Sequence, residues 1–272
     1  MPPPPPQAPA AATAPALFER DRQFATTLAR GIDILLAYRP GESLLGNRDF
    51  VLRTGLSKST VARLTHTLAA LGYLRHDVAL GKYRLGAAVL APAYPLLCGM
   101  PIRQLARPLM QAMADEVSGA VSLGVRDRTQ MIYVETALAT PDLAFAPDVG
   151  AAMPMLASAI GKAWLCRAPA EASAPVLNRL RLEDPEAFQR ATPALAQARK
   201  DLARHGYCTS REEWRRDVFC FAVPLCTPVD SRWFVLNCVV LARTGGFHAA
   251  EDVVGPRLVA LANQVETRLG LR

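Results

Sequence analysis

The sequence predicts a basic winged helix-turn-helix joined to a larger α+β sandwich. Three observations carry this. Charge is concentrated: the 272 residues hold +7 overall, yet Leu44 to Gly86 contains seven basic and two acidic residues, net +5, while Ala87 to the end is close to balance. Short helical patterns separated by glycine turns fill the basic stretch, and alternating apolar strands lie between helical patterns in the remainder. With 51% hydrophobic and 20% charged residues, the chain is too apolar for disorder and long enough for two cores.

Taken in order, Met1 to Pro15 is Pro and Ala without a basic residue. It lacks the charged start and apolar centre of a signal peptide, and residues 1–22 are expected to form a disordered, partly polyproline-like tail. From Thr27 to Tyr38, Leu28, Ile32, Leu35 and Leu36 recur at helical spacing until Pro40-Gly41. A second short helix is expected from Asn47 to Arg53, broken by Thr54-Gly55. The third is capped by Ser57 and stops at Leu71-Gly72. Its stripe of Val61, Leu64, Leu68 and Leu71 is expected to pack inward. The other side shows Lys58, Ser59, Ala62, Arg63 and His66 and no acid, which suits a helix lying among phosphates and acceptor-rich base edges. Tyr73 to His76 and Lys82 to Leu85 alternate around a turn and read as a hairpin whose polar positions, Arg75, Lys82 and Arg84, present cations. Residues 23–86 thus form the winged module.

The uncharged run Leu85 to Ile102 is long enough to raise a membrane span, but Pro92, Pro95 and Pro101 interrupt it; residues 87–101 are expected to be a bent linker. In residues 102–272 a helix is expected from Ile102 to Val117. Strands follow at Ala120–Val125 and Met131–Glu135, joined at Asp127 to Gln130. Further helices are expected from about Ser158 to Arg167 and from Thr192-Pro193, a cap with proline at the first helical position. Val218–Leu225 and Trp233–Ala242 read as apolar strands and Ala249–Leu269 as the closing helix. This is the pattern of an α+β sandwich.

Several chemistries are disfavoured. Six scattered cysteines without paired spacing read as free thiols of a reducing cytoplasm, not as a disulfide framework or a zinc site. Gly161-Lys162-Ala163 is no phosphate loop, since position 156 is Leu and position 163 is Ala. There is no Gly-x-Ser-x-Gly elbow, and His66, His76, His205 and His248 have no neighbouring nucleophile. The expectation is a protein without catalytic residues, metal or cofactor. The uncharged segment from Gly150 to Gly161 precedes a helix whose first N–H groups can meet a carboxylate.

Leu28-Ala29-Arg30-Gly31-Ile32-Asp33-Ile34-Leu35, Thr54 to Leu64, Leu71 to Arg75 and Tyr83-Arg84-Leu85-Gly86 resemble the DNA-binding half of IclR-type bacterial transcriptional regulators. Downstream, Pro154 to Ala163, Gly206-Tyr207, Glu213 and Ala222-Val223-Pro224 resemble that family's effector-binding half. The resemblance runs from about Phe24 to the C-terminus. It implies a GAF-like or profilin-like sheet, DNA contact through Ser57, Lys58, Ser59, Thr60, Arg63, His66, Arg75, Lys82 and Arg84, and a ligand pocket at Phe145, Ala159, Ile160, Val218, Cys220, Asn237 and Val239. It also implies double-stranded operator DNA and a small organic acid as partners, and a homodimer or dimer of dimers. Asp217 stands where the family usually has Gly, and Leu156 where it often has His. The alternative function is a small-molecule sensor or scaffold that works through protein contacts and binds no DNA.

Overall fold

A computed structural model describes residues 22–140, 143, 148–211, 213, 215, 217–242 and 246–272. These fall into two compact units that divide between Gly99 and Met100. Apart from Arg22, the expected tail lies outside the described residues.

In the first unit, α1 (Thr26–Leu36), α2 (Asn47–Thr54) and α3 (Lys58–Ala70) precede a hairpin of β1 (Leu74–Asp77) and β2 (Lys82–Leu85). Asp49 reaches back to accept the Gly46 N–H at 2.8 Å, starting α2. Gly55 ends α2 at φ 69°, a left-handed conformation that costs an L side chain about 1–2 kcal/mol; it swings the chain into α3. Ser57 Oγ then accepts the Thr60 N–H at 3.2 Å. Leu45 bridges Tyr83 and so adds a third short rung to the hairpin. The core is Ile34, Ala37, Leu45, Phe50, Val61 and Leu74, with Tyr38 and Tyr83 packed against it.

Two stripes differ from expectation. On α1, Leu28, Ile32 and Leu36 face outward, 66%, 47% and 68% exposed, and Ile34 is buried instead. Apolar residues cover more than half of this helix, so periodicity alone does not choose its inner side. Gly31 faces Leu64 of α3, where an added Cβ would make an ordinary contact at 3.9 Å. On α3, Leu71 is exposed because the helix has already ended at Ala70. Thr65 is buried in the stripe, its hydroxyl bonded to the Val61 carbonyl at 3.0 Å.

The expected linker is ordered as a 3₁₀ turn, Ala87–Leu90, and a short helix α4, Ala93–Cys98, both within the first unit. Its last residue, Pro101, already opens α5 (Pro101–Val117), where a missing N–H costs nothing.

The second unit continues with β3 (Ala120–Asp127), β4 (Gln130–Leu138), β5 (Ala152–Pro154), α6 (Ala159–Arg167), α7 (Ala170–Glu183), α8 (Pro185–His205), β6 (Cys208–Arg211), β7 (Val218–Pro224), β8 (Phe234–Leu241) and α9 (Gly246–Arg268). The six strands form one antiparallel sheet in the order β5-β4-β3-β8-β7-β6. α5 and α9 pack against it through β3, β4, β7 and β8, and α6 packs on the same strands, with α7 and α8 behind α6. The helix expected to start at Thr192-Pro193 starts at Pro185. Asp184 caps it by accepting the Ala187 N–H, Pro185 takes the first helical position, and Pro193 sits inside. A cap-plus-proline signal occurs twice, as Asp184-Pro185 and Thr192-Pro193, and the upstream one starts the helix. β5, β6 and α7 escape sequence reading because Ala152–Pro154 and Cys208–Arg211 hold too few apolar side chains for their alternating burial to show in the sequence, and α7 has only a weak apolar face. Among the described residues, no helix is long and apolar enough to cross a membrane.

Candidate nucleic-acid interface and interior polar face

The candidate DNA-facing residues do gather on one part of the first unit. Lys58, Ser59, Arg63 and His66 are exposed on α3, and Ala62, Arg63, His66 and Thr67 line an open depression along it. Ser57 and Thr60 are occupied in the cap: Ser57 Oγ lies 2.9 Å from Thr60 Oγ1 and 3.0 Å from Ser59 Oγ. Their first role is to set where α3 begins.

The hairpin register places Arg75 opposite Arg84 and Asp77 opposite Lys82, so all four share one face. Two like charges directly opposed are unfavourable without an anion. Asp77 provides one, meeting Arg84 at 2.9 Å, and the Leu80 N–H together with Arg84 holds its carboxyl below the usual range. Arg53, counted in the basic stretch, points elsewhere: it binds Glu42 through both nitrogens at 2.5 and 2.8 Å and the Ala37 carbonyl at 2.7 Å. Arg48, Lys58, Arg63, Arg75 and Lys82 remain exposed without an ion-pair partner among the described residues. Arg48 and Thr67 are the residues sequence reading missed; Arg48's charge was countable, but only the fold shows it exposed at the start of α2.

In the second unit, Ala159, Ile160, Val218, Cys220, Asn237 and Val239 are all buried. Cys220 pairs with Val239 across β7 and β8, Ala222 with Asn237, and α6 packs over both strands. The sequence-named residues thus form one contiguous interior patch, except Phe145, which lies outside the described residues. Ser158 caps α6 by accepting the Gly161 N–H at 3.2 Å, leaving the Ala159 and Ile160 N–H groups outside the capping bond. A Cβ on Gly161 would fall 2.3 Å from the Met155 carbonyl oxygen, so only glycine lets the β5–α6 connection lie against the helix.

The patch contains polar groups that motif reading did not find. Asn237 Nδ2 donates to Tyr133 Oη at 3.0 Å, and burial pushes the Tyr133 hydroxyl far above its ordinary range. Ser122 and Thr136 share a hydrogen bond at 3.0 Å on neighbouring strands. Lys162 is 2% exposed, and Glu213 binds its Nζ with both oxygens, at 2.9 and 2.7 Å. Tyr133 was findable: alternation along 131–135 puts it on the same side as Met131. Lys162 was not, because a lysine in a helix reads as solvent-facing. Asp217 is bound by Arg215 at 2.6 and 2.9 Å, which holds its carboxyl low, so its departure from the family's Gly adds no unbalanced charge. All six cysteines are free thiols, and burial pushes Cys220 up to about 12. Among the described residues, no cluster of three His, Cys, Asp or Glu side chains is placed to hold a metal.

With this geometry in hand, two family models match: "IclR helix-turn-helix domain" over residues 27–78 and "Bacterial transcriptional regulator IclR C-terminal" over residues 95–232. The chain belongs to the IclR family. The "HTH-type transcriptional regulator TsaQ1/TsaQ2" of Comamonas testosteroni is 30% identical to this IclR-family chain over 246 residues, 89% of it and 88% of the relative. An IclR-family transcriptional regulator from Brucella abortus, known as a crystal structure, is 36% identical with a TM-score of 0.78, covering 97% of this chain and 99% of that one. An IclR homologue from Microbacterium hydrocarbonoxydans, solved in complex with 4-hydroxybenzoate, shares the fold at 21% identity and a TM-score of 0.66, covering 90% of this chain and all of that one. The IclR family models stop short of β2 and β8, so Lys82, Arg84, Asn237 and Val239 lie outside the residues they match. A helix-turn-helix regulator of transcription is what both halves of the chain specify.

Proposed function

We propose that this IclR-family regulator binds a two-fold operator as a homodimer or dimer of dimers in the cytoplasm. Lys58, Ser59, Arg63 and His66 of α3 enter the major groove, and Arg75, Lys82 and Arg84 of the hairpin hold phosphates. The observation that carries this reading is the outward side of α3, which has no acid, beside a hairpin face whose single acid neutralises only one of its three cations. A small organic acid binds the interior patch of Ala159, Ile160, Val218, Cys220, Asn237 and Val239 and changes operator affinity; the protein catalyses nothing. The 4-hydroxybenzoate held by the Microbacterium homologue supports an acid of that kind here. Such a ligand acts only by favouring one arrangement of the two DNA-binding units over another.

Self-association is supported by the uneven surface. Eleven of the fifteen exposed large apolar residues among the described ones, Leu28, Ile32, Leu36 and Tyr94 included, belong to the first unit. On α1, Arg30 Nε and Asp33 Oδ2 are buried without a hydrogen-bond partner, as expected where a second copy supplies one. Binding to the protein's own promoter fragment, followed by fluorescence anisotropy, tests the DNA reading. Arg63→Ala should lose about 1–3 kcal/mol of preference for the operator over unrelated DNA. Arg75→Ala should weaken both equally and lower the salt slope by about one unit per head. Wild-type binding with no salt dependence would leave protein contact as the role of the basic unit.

A further inference from the structure

We infer that Lys162 is the anchor for the effector's carboxylate, and that Glu213 is an internal stand-in which occupies it until the effector arrives. The inference rests on the effector reading above and names the contact that reading lacks: a charge. The two partners differ sharply in burial, with the lysine side chain 2% exposed and the glutamate 37%. A buried ammonium needs an anion beside it, whereas the carboxylate of Glu213 returns to water at little cost. Glu213 reaches Lys162 from the connection between β6 and β7, 51 residues away in sequence. It is the one carboxylate bound to Nζ among the described residues.

The site lies at the edge of the effector patch. Lys162 stands one turn after the patch residue Ala159 on α6, and α6 packs against β6 and β7, where Ser210 pairs with Cys220. Cys220 is itself a patch residue, with Val239 opposite it and the Asn237–Tyr133 pair beside that. An incoming monocarboxylate therefore meets a cation at one end, small apolar walls along its length and a neutral polar pair beyond. Exchange keeps one anion on Lys162 throughout, so no unpaired charge is ever buried. A neutral ligand, or one lacking the carboxylate, has nothing with which to replace Glu213. Release of Glu213 is then the first event that ligand binding reports to the rest of the unit.

Chemical rescue of the full-length chain tests this without DNA and without knowing the effector. Glu213→Ala leaves Lys162 buried and unpaired; in sodium chloride its Tm should fall by about 5–15 °C. Sodium acetate at the same ionic strength should recover at least half of that loss, by placing a carboxylate where Glu213 was. The double variant Lys162→Met with Glu213→Ala should show no acetate-specific gain. Acetate that does no more than chloride, or that stabilises the double variant equally, would overturn the assignment. Should Glu213→Ala not fold, Glu213→Asp keeps the charge on a shorter stem. Benzoate, read by tryptophan fluorescence, should then bind about fivefold or more tighter than to wild type, and benzamide no tighter. Equal gains for benzoate and benzamide overturn the inference as well. Loss of operator binding, by contrast, bears on the proposed function and leaves this result standing.

Discussion

Asn237 shows how a residue can be placed by sequence and understood only in three dimensions. A lone amide in an apolar strand suggests a group that orients something polar, and the strand assignment is right. What it orients within the chain is Tyr133, whose hydroxyl would otherwise be buried without a partner. Asn237→Leu should therefore destabilise the protein by about 1–3 kcal/mol even without ligand, because the Tyr133 hydroxyl is left unsatisfied; urea unfolding measures it. The double variant with Tyr133→Phe should regain part of that loss. If Asn237 also meets the effector, a carboxylate that stabilises wild type in a thermal-shift screen should lose its effect in Asn237→Leu. Lys162 is the opposite case. No sequence pattern marks it, because burial of a helical lysine depends on a glutamate 51 residues further along being delivered to it.

Elements were legible where their boundaries are chemical. Gly55, Ser57 and Gly72 punctuate the helix-turn-helix, and α2, α3 and the hairpin fall within a residue or two of expectation. Facing was less legible. On α1 the choice between two apolar sides is made by what packs there, and on α3 the inner stripe takes in Thr65 while Leu71 falls beyond the end of the helix. In the larger unit, Thr192-Pro193 misled because the same cap chemistry recurs at Asp184-Pro185. An element-level contact that sequence does not announce joins the end of α2 to the connection after α1, through Arg53 and Glu42. The hydrogen bond from Arg53 holds the Glu42 carboxyl below its ordinary 4.5. A lowered carboxylate contributes stability above its unfolded value and loses it as pH falls through the folded one. The contribution should thus be complete at neutral pH and fade below about pH 4.5. Glu42→Gln should lower Tm at pH 7 and converge with wild type near pH 3, which a pH series of melting curves would show; a constant difference would mean the pair has no role in acid sensitivity.

At the scale of the molecule, the charge count and the apolar count point to the same unit. The first unit carries both the excess of positive charge and most of the exposed large apolar side chains: Arg48, Lys58, Arg63, Arg75 and Lys82 stand exposed on α2, α3 and the hairpin, and six of its eleven exposed large apolar residues lie on α1 and in the residues after β2. One helix in one groove reads half a site, and two-fold operators match two-fold proteins. Ile32→Lys combined with Leu36→Lys should convert the assembly to a smaller species in light scattering and weaken operator binding at least tenfold, while leaving the fold intact by circular dichroism. An unchanged mass would place self-association on the other unit.

The outward side chains of α3 take no part in the core that supports them: Ile34, Phe50, Val61 and Leu74 hold the helix from beneath, and Lys58, Ser59, Arg63, His66 and Thr67 carry no packing duty. Such a surface behaves as a replaceable cassette. Exchanging those five positions should redirect the protein to a different operator while its ligand response stays as it was. Under the proposed function, the genes such a chain governs and the acid it senses are set by different residues, so substitutions can change either one.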